Sequence, residues 1–304
     1  MEQADKKGVQ MDQAEQLRNI IKANNAPRPL ARVITVTSGK GGVGKSNTAI
    51  NLAIQFRKMG QRVIILDADF GLANIEIMFG AIPTHNFCDL IYRGKNIKDI
   101  ITWGPMEVGF ISGGSGIAGL SNLSKDYLVY IIQNLAELDA IADIIIVDTG
   151  AGISDAVLEF LVASGEVLVV TTPEPTSITD SYSLLKALRR HPRFSENTSQ
   201  IKVIANKVDG LNEGQTLYNK LNTVVGRYLK LPITYLGAVP RDQQLAKAVM
   251  QQMPVSLQSP GAKSTLAYEA IAAKLMNKEI SQNVAKRGMA AFFSHIVTGK
   301  IFNN

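Results

Sequence analysis

The sequence predicts a doubly wound α/β fold, in which helices cover both faces of a mostly parallel β-sheet. Short β-branched runs alternate with helical stretches from about residue 32 to residue 278. Most of these runs are apolar almost without interruption, as expected for strands that are buried on both faces. Hydrophobic residues make up 46% of the chain and charged residues 19%, which is typical of a globular domain and not of a disordered chain.

The predicted strands follow one another along the chain, separated by helical stretches. The five strong strand signals are residues 33–37, 63–67, 144–148, 167–171 and 201–206. Weaker strands are expected near 108–111 and 233–238, and crossover helices over 125–138 and 176–190. Strands that alternate with helices in this way form a parallel sheet, so we expect one α/β layer structure.

Composition and charge restrict the class of protein. A single cysteine, Cys88, excludes an internal disulfide framework and suits a reducing cytosol. Neither a secretory signal nor a run of about 18 apolar residues is present in the sequence. The formal net charge of +6 permits attraction to nucleic acid or to an anionic membrane, although solubility alone accounts for such a balance. We therefore expect a cytoplasmic protein.

Three parts are predicted along the chain. Residues 1–30 form a polar arm with a short amphipathic stretch and an Ala-Pro-Arg-Pro linker, where a helix cannot continue. Residues 31–278 form the α/β domain. Residues 279–304 carry a separate C-terminal helix.

A glycine-rich loop follows the first predicted strand. Gly39, Gly44, Lys45 and Ser46 match G-x-x-x-x-G-K-[ST], with a strand before the motif and a helix over 46–59 after it. The glycines let backbone N–H groups turn toward a phosphate chain, and the helix N-terminus adds partial positive charge. The pattern predicts that Lys45 binds the terminal phosphates and that the Ser46 hydroxyl ligates Mg²⁺.

A second lysine, Lys40, stands five positions ahead of Lys45. It has no productive place on its own nucleotide if Lys45 is already there, but it could reach a nucleotide held by a facing subunit. The run from Lys40 to Ser46 resembles the deviant Walker A motif of the MinD/ParA ATPases, in which the early lysine is the signature. That resemblance implies slow, Mg²⁺-dependent ATP hydrolysis by a homodimer that forms with ATP. The residues it assigns to nucleotide binding are Gly41, Gly42, Val43, Gly44, Lys45, Ser46, Asn47 and Asn206.

Acidic residues follow two strand ends, where an open parallel sheet places its ligand. Asp67 and Asp69 end the second strand, and Asp148 ends a later one. Such carboxylates can hold a Mg²⁺ shell or orient a water, or can simply cap turns. In the resembled family the second aspartate of D-x-D positions the attacking water, which makes Asp69 the candidate. Asp67 and Asp148 are then expected near the metal, through water, so that Lys40, Lys45 and Asp69 are the predicted catalytic residues.

The predicted base site contains a conflicting signal. Asn206, Lys207 and Asp209 follow the last strong strand and match N-K-x-D, the guanine-reading motif of many GTPases. MinD-like ATPases use an asparagine at the same strand end to contact adenine. The two-lysine loop favours ATP over GTP, and Asn206 contacts the base in either case.

The N-terminal arm carries a motif of its own. Asp12, Gln13, Ala14, Leu17 and Arg18 resemble the D-Q-A-x-x-L-R activator motif of the FlhG family (also called FleN or YlxH), flagellar-number ATPases that stimulate the GTPase FlhF. An arginine supplied in trans can stabilise phosphoryl-transfer charge. Residues 174–186 also resemble that family. Without the resemblance, an amphipathic helix folded back onto the domain is the favoured alternative.

The C-terminal segment predicts a helix with one apolar face. The residues on that face are Met289, Phe292, Phe293, Ile296 and Val297, and basic residues lie near both ends. Such a helix can lie in a membrane interface. The resemblance implies a membrane-targeting helix that is exposed only in the ATP dimer, while docking on the core is the alternative, and both can hold in different states.

These observations together predict an ATP-dependent switch that binds the inner membrane surface as a dimer and controls flagellar number. The expected partners are a second copy, an FlhF-like GTPase, flagellar basal-body proteins and anionic lipid, but not nucleic acid. The alternatives are a MinD-like protein of the division site or a ParA-like DNA-partition ATPase. Strongly salt-dependent binding of duplex DNA would favour the DNA-partition ATPase. A small-molecule kinase is disfavoured because no substrate-activating cluster is evident.

Overall fold

The central β-sheet contains the five strongly predicted strands and extends beyond them. The computed structural model describes residues 30–69, 74–113, 125–277 and 288–301, without the side chains of 125–129 and 298–301. The strands of this part are β1 (Arg32–Ser38), β2 (Val63–Ala68), β3 (Thr102–Trp103), β4 (Gly109–Ser112), β5 (Ile144–Ala151), β6 (Glu166–Thr171), β7 (Gln200–Val208) and β8 (Ile233–Pro240). The five strong predictions and the two weaker ones are all confirmed.

The strand order places a topological switch at the first strand. The order across the sheet is β3-β4-β2-β5-β1-β6-β7-β8, and every pair is parallel except β3 with β4. β1 lies between β5 and β6: the connection after β1 runs to β2 on one side, and the connection after β5 crosses to β6 on the other side. In open α/β sheets the ligand binds at the carboxyl ends of the strands at such a point.

Helices pack on both faces of the sheet, as predicted. They are α1 (Lys45–Lys58), α2 (Asn74–Phe79), α3 (Phe87–Tyr92), α4 (Lys125–Ala136), α5 (Leu138–Ile141), α6 (Asp155–Ala163), α7 (Pro175–Arg190), α8 (Leu211–Leu229), α9 (Gln243–Met250), α10 (Val255–Gln258), α11 (Lys263–Asn277) and α12 (Gly288–Ile301). Alternate residues of one strand enter different cores. Ile64 and Leu66 of β2 pack on the side of α12, whereas Val63 and Ile65 pack on the side of α1 and α11. The fold class is therefore doubly wound α/β.

A buried ion triad lies at the amino end of the sheet. Glu166, at the start of β6, accepts hydrogen bonds from Arg32 of β1, one of them 2.7 Å long, and from Lys202 of β7. All three side chains are buried. Burial alone would raise the pKa of Glu166, but the hydrogen bonds and charges of Arg32 and Lys202 outweigh it and hold the pKa below its ordinary value. The triad joins the starts of three strands.

The C-terminal helix α12 is docked on the domain. All five residues of the predicted apolar face are buried, and Phe292 and Phe293 contact the Phe160 ring of α6 at centroid distances of 5.9 and 6.5 Å. The buried sector is wider than predicted, because Ala290 and Ser294 are buried as well. In this structure α12 is therefore part of the core, which is the alternative that the sequence left open.

Polar contacts hold the start and the middle of the docked helix. The Asp139 carboxylate accepts hydrogen bonds from the Met289 N–H at 2.9 Å and from the Ala31 N–H at 3.3 Å. Arg193 donates to the His295 carbonyl and pairs with Glu159. No helix in the described ranges combines the length and the apolar composition that crossing a membrane requires.

Candidate functional site

The phosphate-binding loop joins β1 to α1 at the switch point. Gly44 precedes α1 in a left-handed conformation with φ 94°, and a Cβ there would lie 2.3 Å from Asn206 Nδ2. Gly39 packs against α7, where a Cβ would lie 2.2 Å from the Asp180 carbonyl oxygen. Side chains at these two positions would collide with the loop's neighbours, so both glycines are required by close packing, and Gly44 is required by its backbone conformation as well.

Lys45 lies inside the site, on a carboxylate at the end of a neighbouring strand. Its Nζ is 3.1 Å from Asp148 Oδ1, 3.5 Å from Ser46 Oγ and 3.9 Å from Asp69 Oδ2. Lys45 and Asp148 are both buried, and Asp69 is half-buried. The structure thus brings together four of the predicted site residues: Lys45 and Ser46 at the start of α1, Asp69 after β2, and Asp148 in β5.

The site holds more negative than positive charge. Burial, together with the nearby Asp148, raises the pKa of Asp67 to about 7, against hydrogen bonds from the backbone of Asp69 and Ile75. Burial also raises the pKa of Asp148, which Lys45 and Ser46 oppose. A site with Asp67, Asp69 and Asp148 around a single lysine has an electrostatic demand for a further cation.

A Mg²⁺ ion fits the chemistry of these donors. Asp148 Oδ2 is buried and has no hydrogen-bond partner among the described residues. Mg²⁺ in phosphate sites is held by one or two carboxylates, by waters and by the phosphates themselves. No three His, Cys, Asp or Glu side chains in the described ranges are arranged to hold a metal alone. Ser46, Asp67 and Asp148 would therefore hold the ion together with a nucleotide and water.

Lys40 contacts its own chain at the surface of the site. Its Nζ donates hydrogen bonds to Glu174 Oε2 at 2.8 Å and to Thr176 Oγ1 at 2.9 Å, at the start of α7. Lys40 holds the pKa of Glu174 below its ordinary value by hydrogen bonding and charge. Lys40 is thus directed away from the buried carboxylates, and the sequence did not predict its partners.

The carboxyl end of β7 contacts the phosphate loop. Asn206 Nδ2 donates to the Val43 carbonyl and Lys207 Nζ to the Gly42 carbonyl, both at 2.7 Å. Asn206 is buried beside Gly44, and its contact with a base stays a prediction. The contact of Lys207 was not predicted, because nothing in the sequence indicates which carbonyl a surface lysine reaches.

Two other predicted groups remain to be placed. The residues of the predicted activator motif, Asp12 to Arg18, lie outside the described residues. Helix α12 packs beside α4 and α6, and its apolar residues belong to the core. The docked helix therefore does not contribute to the chemistry at the carboxyl end of the strands.

A glycine loop at the switch point of a parallel sheet, with its lysine on a buried strand-end carboxylate, defines a P-loop nucleotide-binding protein. Residues 34–255 match the family model of the CobQ/CobB/MinD/ParA nucleotide binding domain. The chain belongs to this family.

Relatives of known sequence extend over nearly the whole chain. The chain is 38% identical over 262 residues to the antiactivator FleN of Pseudomonas aeruginosa, covering 86% of this chain and 91% of that protein. It is 32% identical over 296 residues to the flagellum site-determining protein YlxH of Helicobacter pylori, covering 94% and 98%. These similarities support the predicted likeness to the FlhG group.

A solved structure shares the fold. The septum site-determining protein MinD of Pyrococcus horikoshii, complexed with Mg-ADP, superposes with a TM-score of 0.64 at 19% identity, covering 84% of this chain and all of that one. At this identity the likeness concerns the fold.

Proposed function

We propose that this protein is a Mg²⁺-dependent ATPase that dimerises with ATP and acts as a switch in the control of flagellar number. The observation that carries the proposal is the different placement of two loop lysines. Lys45 is buried on Asp148, whereas Lys40 is on the surface and held by the half-exposed Glu174. A surface lysine at the edge of a phosphate site is free to exchange its carboxylate for a phosphate of a facing subunit.

Each residue of the site has a distinct role in this proposal. Lys45 exchanges Asp148 for the terminal phosphates, and the loop's N–H groups bind the phosphate chain. Asp69, 3.9 Å from Lys45, orients the attacking water. Bound Mg²⁺ would neutralise phosphate charge, beside Ser46, Asp67 and Asp148. Lys40 stabilises the transferred charge from the other subunit, so that hydrolysis and dimerisation depend on each other.

The oligomeric state with ATP tests the core of the proposal. We expect size exclusion with light scattering to give a lasting dimer for Asp69→Ala with ATP, and a monomer for Lys40→Ala. Lys98→Ala is the matched control, because Lys98 is also an exposed lysine that forms an ion pair with a glutamate, Glu137. Identical behaviour of Lys40→Ala and the wild type in ATP would contradict the role of Lys40.

We also propose that α12 leaves the core in the ATP dimer and binds anionic lipid. Its apolar residues fit a membrane interface, and the docked state covers them until release. A Cys88→Ser, Ala290→Cys chain tests this, because position 290 is buried in the docked helix. We expect its thiol to react rapidly with ATP and anionic liposomes and slowly with ADP, whereas Cys88→Ser, Lys98→Cys reacts rapidly in both. Equal protection of position 290 in both nucleotides would contradict release.

The flagellar role is supported by the activator-like residues of the arm and by the relatives named above. We expect a peptide of residues 1–25 to stimulate GTP hydrolysis by an FlhF-type GTPase. Substitution of Gln13 and Arg18 by alanine should abolish the stimulation, since both side chains would act at the partner's phosphates. Stimulation that survives both substitutions would remove the activator role while leaving the ATPase switch intact.

A further inference from the structure

The N-K-x-D match at the carboxyl end of β7 has a defined structure. Asn206 and Lys207 hold two successive carbonyls of the phosphate loop, those of Val43 and Gly42. Lys207 takes a left-handed backbone conformation with φ 56°, and its N–H donates to Asn206 Oδ1 at 2.9 Å. The segment therefore has a defined shape on the loop, and the residues that follow it are positioned at the edge of the nucleotide site.

Asp209 is the next polar side chain of this segment. Its N–H donates to Glu213 Oε2 at 2.6 Å, which fixes the backbone at the start of α8. Its carboxylate is 80% exposed and lies 3.2 Å from Arg241 Nε, in the loop after β8. The Arg241 N–H in turn donates to the Val208 carbonyl at 2.8 Å. The carboxylate thus lies at the carboxyl end of β7 and β8, three residues beyond the buried Asn206.

The chemistry of a carboxylate at this position favours one base. An ionised carboxylate only accepts hydrogen bonds. Guanine presents two adjacent donors, N1–H and the 2-amino group, which match two carboxylate oxygens. Adenine presents one donor, its 6-amino group, beside the acceptor N1, so the same carboxylate can accept one hydrogen bond while its second oxygen faces the N1 lone pair. Asp209 can therefore add more affinity for guanine than for adenine.

The ion pair with Arg241 is too weak to withhold Asp209 from a base. Both side chains are more than half exposed, and pairs of this kind change an equilibrium by about fivefold at most. Hydrogen bonds to a charged group contribute about tenfold or more. Guanine would therefore displace Arg241. We propose that this nucleotide site binds guanine nucleotides as well as adenine nucleotides, and that Asp209 reads the guanine edge.

The proposal rests on the nucleotide binding proposed above, and competition binding separates the two. A fluorescent N-methylanthraniloyl-ADP is displaced from the full chain by ADP, GDP or XDP in the presence of Mg²⁺. We expect GDP to compete within about tenfold of ADP, because Asp209 compensates for contacts tuned to adenine. Arg241→Ala should strengthen GDP binding about two- to fivefold, since it frees the Asp209 carboxylate.

Asp209→Asn gives the sharper result, because an amide offers one acceptor and one donor. It should weaken GDP binding about tenfold or more and leave ADP binding unchanged. It should also allow XDP to bind, because the N1–H and O2 of xanthine match the amide. Asp143→Asn is the control, since Asp143 forms a carboxylate–guanidinium pair with Arg62 at the other end of the sheet, although a less exposed one. Binding of ADP without measurable GDP competition, or an unchanged GDP to ADP ratio in Asp209→Asn, would overturn this proposal alone. Failure of every nucleotide to bind would overturn both proposals.

Discussion

Two buried clusters of charge lie at opposite ends of the same sheet, and their balance differs. At the amino end, Glu166 is paired with two cations, Arg32 and Lys202. At the carboxyl end, Lys45 is the only cation within 4 Å of Asp148 and Asp69 among the described residues, with Asp67 close by. In the first cluster the pKa of Glu166 is lowered, whereas in the second the pKa values of Asp67 and Asp148 are raised.

This difference separates a structural cluster from a binding site. Buried charges that have all their partners stabilise one conformation, whereas buried charges without them cost stability until a ligand supplies the missing charge. The cluster around Lys45 therefore has the electrostatics of a site that awaits a cation and phosphates. Four substitutions test this comparison, from the largest effect to the smallest.

Lys45→Ala should reduce ATP affinity and turnover by at least a hundredfold, because it removes the only cation close to Asp148 within the described residues and the group expected on the phosphates. Calorimetric titration with ATP and a phosphate-release assay measure both effects. The exposed Lys98→Ala variant serves as control and should behave as wild type. Retained ATP affinity in Lys45→Ala would mean that the site is not where we place it.

Glu166→Gln should destabilise the protein by about 3–5 kcal/mol, because two buried cations lose their counter-charge. Since the folded pKa of Glu166 is lowered, its stabilisation is present above the unfolded pKa and is lost as the pH falls through the folded pKa. Urea unfolding at pH 7 and pH 3 should therefore show the variant's deficit shrinking in acid. The exposed Glu269→Gln on α11 is the control, and an equal deficit at both pH values would refute the pairing argument.

Asp67→Asn should stabilise the nucleotide-free protein at pH 8 by roughly 1–4 kcal/mol, because the cost of ionising a group whose pKa is raised to about 7 outweighs the one backbone hydrogen bond that the amide nitrogen cannot accept. Because the pKa of Asp67 is higher in the folded state, its contribution to stability is fully present at pH values below its unfolded pKa. That contribution is lost as the pH rises from about 4 through about 7. Unfolding curves between pH 4 and pH 8 should converge at the acid end. A difference in the free energy of unfolding that stays constant across this pH range would show that burial does not raise the pKa of Asp67.

Glu174→Gln should have the smallest effect, a shift of less than about fivefold in the ATP concentration that gives half-maximal dimer. It weakens the hold on Lys40, so dimerisation should need less ATP, and the light-scattering titration described above measures it. Thr179→Ala, on the exposed side of α7, is the control. A requirement for more ATP would contradict the view that Glu174 holds Lys40 back.

Much of the fold follows from the sequence, because buried strands are continuous apolar runs and the loop motif has fixed neighbours. The two-residue strand β3 was missed, since Thr102 and Trp103 have no run around them. The partners of Lys40 lie more than a hundred residues away in the sequence, so only the fold brings them together. The fate of α12 was undecided because a phenylalanine face suits a protein core and a lipid surface equally.

One carboxylate, Asp139, has a consequence for both ends of the chain. It accepts the Ala31 N–H, where the arm reaches the domain, and the Met289 N–H, where α12 begins. If α12 leaves the core as we propose, the same event removes the Met289 donor from Asp139 and alters the hold on Ala31. Binding of α12 to lipid and release of the arm toward the GTPase would then occur together, because the same Asp139 carboxylate holds both segments.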